Sequence, residues 1–167
     1  RLTDQLGCAA RQTIQVVGDE VIFLSTHGVY ALTLHPKGYG TVGLPPQAVV
    51  VADAPISQPI DDVIDEIDFN YSDSFSSVFH RGRYYLFVRL RDSSEVCMVY
   101  NTLLKAWESK DVYTSLQVKK LLAVNDSGGA ELFALSGNGG LLRAEQTTNG
   151  HDYYGETDTD RVSIAGI

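Results

Sequence analysis

Carboxylates are the side chains of this sequence best placed, by density, to do chemistry. Asp61, Asp62, Asp65, Glu66 and Asp68 crowd together, with Asp53 upstream and no Lys or Arg between them. Such a group can chelate a metal, line a conduit, or keep one face of a helix in water. Ile60, Val63, Ile64 and Ile67 recur at i, i+3, i+4 and i+7, which sets the acids opposite an apolar stripe. Plain solvation accounts for that pattern. Glu145, Asp152, Glu156, Asp158 and Asp160 form a second unbalanced group. In an extended segment the last three share a face and offer calcium ligands, but the glycine and terminal glutamate of an EF-hand loop are missing. A solvated strand edge is the simpler reading.

Between the acidic groups stand Arg81, Arg83, Arg89 and Arg91, able to meet phosphate, an acidic neighbour or only solvent. His27, His35, His80 and His151 fall in or beside expected turns, and none has a second His at i+3 or i+4, as a helical metal site requires. Cys8 and Cys97 are far apart and outside any CxxC pair. They are expected to be two buried free thiols, in place of a disulfide framework or a zinc site. There is no G-x-S-x-G elbow and no phosphate-binding GxxxxGK[ST] loop. Trp107, with Tyr100 and Phe87, offers either a carbohydrate-stacking platform or a core aromatic, and burial is the usual fate of so large a ring. No catalytic residue, cofactor or metal site is therefore assigned.

The elements that must position these groups read as small β-units. The chain has 167 residues, 44% hydrophobic and 20% charged, enough for one globular domain spanning 1–167. Its net charge of -8 argues against nonspecific attraction to nucleic acid or anionic membranes, and no apolar run reaches membrane-spanning length. Thr13 to Val17, Val21 to Ser25 and "VYALTL" are expected as three strands turning at "GDE" and "THG", with Gly28 supplying a positive φ. A Gly/Pro-rich loop or arm follows over 36–56. A short acidic helix is predicted over 57–68, with Ser57 as N-cap and Pro59 in its first turn. "SSVFHRGRYYLFVRLR" and "EVCMVYN" give a second meander, which "NTLLK" turns into "AWES". On its middle strand Tyr84, Leu86, Val88 and Leu90 form a core face. Arg83, Tyr85, Phe87, Arg89 and Arg91 form a mixed one. "VKKLLAVNDSGGAELFALSGNGGLLRAEQ" is a third meander, and "YYGETDTDRVSIAGI" opens a further strand.

"VIFLSTHGVYAL" (Val21 to Leu32) and "LFALSGNGGLLR" (Leu132 to Arg143) are variants of one hairpin. A small meander cannot bury its apolar face alone, so repeated meanders must stack on each other. The expected fold class is all-β, a partial β-propeller of three to four antiparallel meanders with one short helix. Such a ring needs at least four blades, so the chain is expected to be part of a longer polypeptide, or to be completed by other segments.

Two stretches, "GCAARQTIQVVGDEVIFLSTHGVYAL" with "PISQPIDDVIDEID", and "SDSFSSVFHRGRYYLFVRLRDSSEVCMVYNTLLKAWES", carry a family resemblance. Together they resemble the propeller-type domain of tail nozzle, or tubular tail, proteins of short-tailed bacteriophages and the related packaged-DNA stabilisation proteins. The resemblance spans roughly Gly7 to Ser109. "VYNTLLKAW" by itself is also similar to a Kelch repeat, although the glycine pair Kelch repeats favour stands elsewhere, at Gly128 and Gly129. The phage resemblance implies a virion tail component assembled in the host cytoplasm. It implies a homo-oligomeric ring joined to other tail proteins, passing viral DNA without reading its sequence, and no catalytic step. Asp61, Asp62, Asp65, Glu66, Arg89 and Arg91 become the candidate subunit contacts or channel lining. DNA carries a charge every ~1.7 Å, so an acidic lumen lets it slide where a basic one grips. The alternative is a Kelch- or lectin-like binding propeller presenting loops to a protein or glycan.

Overall fold

The structure, a computed structural model, describes residues 7–33, 35–37, 47–49, 54–113, 118–126, 129–137, 139–144 and 153–154. It is an all-β fold of small antiparallel sheets with one short α-helix. The first sheet has strands β1 (Gln15–Val17), β2 (Glu20–Ser25) and β3 (Gly28–Thr33), in that order. β4 (His35–Lys37) pairs with β5 (Gln47–Val49) as a two-stranded ribbon that begins one residue before the span expected as loop or arm and otherwise lies within it. Helix α1 (Asp61–Asp65) leads to the central sheet of β6 (Ser76–His80), β7 (Arg83–Arg89), β8 (Glu95–Asn101) and β9 (Ala106–Tyr113). The last sheet is β10 (Val118–Asp126), β11 (Gly129–Ser136), β12 (Leu141–Ala144) and β13 (Tyr153–Tyr154). Strands follow chain order in every sheet, as a chain of hairpins must.

The central sheet is covered on both faces. Tyr84, Leu86 and Val88 of β7 pair with Tyr100, Met98 and Val96 of β8. These six pack against Ile22, Leu24 and Val29 of the first sheet and against Val63, Ile64 and Ile67 around the helix. The opposite face carries Val78, Tyr85, Phe87, Cys97 and Val99, which pack against Val118, Leu121, Leu132 and Ala134 of the last sheet. Arginines do end this face, as expected, but its middle, Tyr85 and Phe87, is core. Alternation along a strand cannot distinguish a half-solvated sheet from one buried between two others when aromatics occupy both faces. Burying both faces is the main hydrophobic contribution to the fold, at roughly 25 cal/mol per Å² of apolar surface removed from water.

The first strands of the three sheets meet. β6 touches both β1 and β10. Gln15 Nε2 donates to the Ser77 carbonyl at 2.9 Å, the Ser77 hydroxyl donates to the Gln12 carbonyl at 3.3 Å, and Leu121 N–H donates to Ser76 Oγ at 2.8 Å. Thr13 sits at the same junction. Its hydroxyl donates to the Ala10 carbonyl and accepts from Leu24 N–H, while its carbonyl accepts the buried Tyr84 hydroxyl at 2.8 Å. Residues Arg11–Thr13 form a 3-10 turn, so the strand expected from Thr13 begins at Gln15.

Ser57 corrects the helix prediction. It is wholly buried, and its Oγ accepts from Val29 N–H at 3.0 Å on the edge of β3. It caps nothing. The predicted helix divides into a 3-10 turn, Gln58–Ile60, and α1. Ile56 N–H donates to the Val29 carbonyl, and the Ile56 carbonyl accepts Trp107 Nε1 at 2.9 Å, so this segment straps the first sheet to the central one. Trp107 is half-buried against the core beside Tyr100, the role expected of it. Gly28 has φ +132°, and a Cβ there would lie 2.6 Å from Ser57 Oγ and 2.8 Å from Pro55 Cβ. Its glycine is thus required by the strap as well as by the turn. Cys97 is buried and burial pushes its thiol pKa up, whereas Cys8 is exposed, against the expectation of two buried thiols. Cys8 stands in the irregular lead-in before β1, where its thiol donates to the Ala10 carbonyl.

Candidate functional site

Helix α1 turns Val63 and Ile64 inward and leaves Asp61, Asp62, Asp65 and Glu66 exposed, as the apolar stripe requires. The helix end is then sewn to the end of β7. Asp68 N–H donates to the Arg89 carbonyl, Arg91 N–H donates to the Glu66 carbonyl, and Ile67 bridges Leu90. Glu66 also lies 3.9 Å from Lys110 Nζ. Glu66, Arg89 and Arg91 are therefore neighbours within one chain. Asp68 Oδ1 accepts from the main chain and the side-chain amide of Asn70. Among the described residues no three His, Cys, Asp or Glu side chains converge where a metal could sit.

The four arginines do not form one patch. A seven-residue strand spans roughly 20 Å, and it separates Arg81 and Arg83 from Arg89 and Arg91. Arg83 pairs with Glu108, and Asn101 Nδ2 donates to the same carboxylate, which holds Glu108 below its usual pKa. Arg89 lays its guanidinium 4.1 Å from the Tyr71 ring centroid, a cation–π contact. Arg91 is exposed. Glu156, Asp158 and Asp160 lie outside the described residues, as do Gly128, Glu145, Asp152 and His151.

A different constellation forms where the first strands meet. Arg11, Gln12, Gln15, Ser76, Ser77 and Lys120 line an open cleft of about 470 Å³. Arg11 comes from the 3-10 turn, Gln15 from β1, Ser76 and Ser77 from β6, and Lys120 from β10. A register shift between Val118 and Lys120 in the β10–β11 pairing re-aims the backbone there, as bulges do. Arg11 and Lys120 have no ion-pair partner among the described residues. The cleft was illegible in the sequence because its parts come from segments more than forty residues apart and make no motif. The nearest signal is a pair of buried serines, Ser76 and Ser77, opening β6 ahead of Val78 and Phe79.

No helix among the described residues is long and apolar enough to cross a membrane. Compared with known proteins, the chain matches no family model and has no significant match among curated proteins or solved structures.

Proposed function

We propose that the chain is a structural, non-catalytic module: a propeller-type segment of the tail-nozzle kind, working in an oligomeric ring through which phage DNA leaves the virion. One observation carries this reading. Three consecutive meanders stack face to face in chain order with their first strands together, the local geometry from which propeller blades are built. Single apolar side chains remain exposed on the outer faces of the stack, although Phe23, Tyr30 and Leu32 on the first sheet's outer face are buried. Val16 on the first sheet is 70% exposed, and Leu135 and Val124 on the last are 39% and 45% exposed. The order of motifs over Gly7 to Ser109 supplies the nozzle assignment, and the exposed acids of α1 suit a surface along which DNA must slide.

Sedimentation velocity tests the reading. A discrete closed multimer is expected, since identical subunits with complementary faces close into rings. A single monomeric species up to about 100 µM removes it. The binding-propeller alternative has one observation in its favour, the cleft carrying Arg11 and Lys120, and a stable monomer would favour it.

A further inference from the structure

We propose that the cleft between the first strands binds a small polyhydroxylated molecule carrying one phosphate or carboxylate. This inference is independent of the ring: it concerns one protomer and needs no assembly. The charge argument comes first. The chain carries a net charge of -8, yet two cations without ion-pair partners among the described residues face the same cleft. Arg presents a planar fork that matches a carboxylate or phosphate in bidentate fashion, and Lys adds a mobile point charge.

The rest of the lining sets the body of the ligand. All six lining residues are polar. Ser76 is buried and its Oγ accepts from Leu121 N–H, so it fixes the floor of the cleft in place. Gln15 spends one amide hydrogen on the Ser77 carbonyl and keeps its own oxygen as an acceptor. Such a wall suits hydroxyl groups better than an acyl chain or aromatic ring, since most of its surface is polar. A volume of about 470 Å³ is in the range of small-molecule sites and far exceeds a bare oxyanion. The ligand is therefore an acidic head on a hydrophilic body of monosaccharide size.

Isothermal titration of the full chain tests this with glucose 6-phosphate, gluconate, glucose and inorganic phosphate as probes. Saturable binding of glucose 6-phosphate or gluconate with Kd below about 1 mM is expected, with glucose and inorganic phosphate each at least about tenfold weaker. Arg11→Gln and Lys120→Gln should each weaken the bound probe about tenfold or more, while Arg91→Gln, which does not line the cleft, should leave it unchanged. Both lining cations are exposed, so neither variant threatens folding, and a melting curve checks that. Three results overturn the proposal. One is no saturation by either acid at about 10 mM. Another is inorganic phosphate binding as tightly as glucose 6-phosphate. The third is a loss in Arg91→Gln equal to that in the lining variants, which would mark general charge attraction.

Discussion

The hairpins β2–β3 and β11–β12 are near-copies in sequence and opposites in packing. Aligned through their Leu-Ser pairs, Leu24 matches Leu135 and Phe23 matches Ala134. Leu24 is wholly buried against the central sheet, while Leu135 is 39% exposed. Ala134 is wholly buried against the central sheet, while Phe23 turns away from it to cluster with Tyr30 and Leu32. The two outer sheets thus present opposite faces to the one between them. A unit repeated by rotation does this: the leading face of one copy meets the trailing face of the next. Two sheets related as mirror-like partners would instead have used the same positions.

The largest expected effect breaks this comparison directly. Leu24→Ala should destabilise by about 2–5 kcal/mol, since it leaves a cavity in a closed core, whereas Leu135→Ala should cost less than about 1 kcal/mol. Urea denaturation of both variants decides it, and equal losses would mean the two hairpins bury the same face. Next come the matched glycines of the two turns. Gly28 and Gly139 both have positive φ, but a Cβ at Gly139 meets nothing within 4 Å among the described residues. Gly139→Ala should cost about 1–2 kcal/mol from backbone strain alone. Gly28→Ala should exceed it clearly, because Ser57 and Pro55 must also move. Melting temperatures of the pair separate conformational strain from loss of the strap.

The two faces of the central sheet allow a smaller test. Tyr84 and Tyr85 are both buried, but Tyr84 donates to Thr13 and the Tyr85 hydroxyl has no hydrogen-bond partner among the described residues. Tyr84→Phe should cost about 1–3 kcal/mol by orphaning a buried carbonyl. Tyr85→Phe should be neutral or mildly stabilising, and a loss matching that of Tyr84→Phe would reveal a partner for Tyr85. The smallest effect is a pH dependence. Burial, helped by the Arg81 charge, lowers the pKa of His80 below 6.5. The unfolded chain therefore takes up the proton first as pH falls. Stability contributed by neutral His80 is present above about pH 6.5 and is lost below it, through the folded-state pKa. Urea midpoints at pH 5 and 7.5 should fall toward acid, and His80→Phe should flatten the difference.

Much of the architecture was legible because strand signals are local. The "GDE", "THG", "HRGR" and "NTLLK" turns all join the strands they were expected to join, and the Val63–Ile64–Ile67 stripe is buried. Ser57 has the signature of a cap, a serine before a Pro-containing first turn, while its actual partner, Val29, is distant in sequence. Arg81, Arg83, Arg89 and Arg91 stand close in sequence, which hides the length of the strand that parts them into two pairs. Asp61, Asp62, Asp65 and Glu66 were correctly set on an exposed face, yet the backbone link from Glu66 to Arg91 had no sequence signal.

What the sequence determined by itself is the unit: short antiparallel hairpins, their turns, and the apolar positions along each strand. Those depend on φ/ψ preferences and on alternation, which act over a few residues. Only the tertiary structure decided which face of each unit meets which neighbour, and that the first strands converge to bring Arg11, Ser76 and Lys120 around one cleft. The reason is physical. Burial is non-directional and proportional to area, so an apolar face specifies that it will be covered and leaves the covering partner to the packing of the whole.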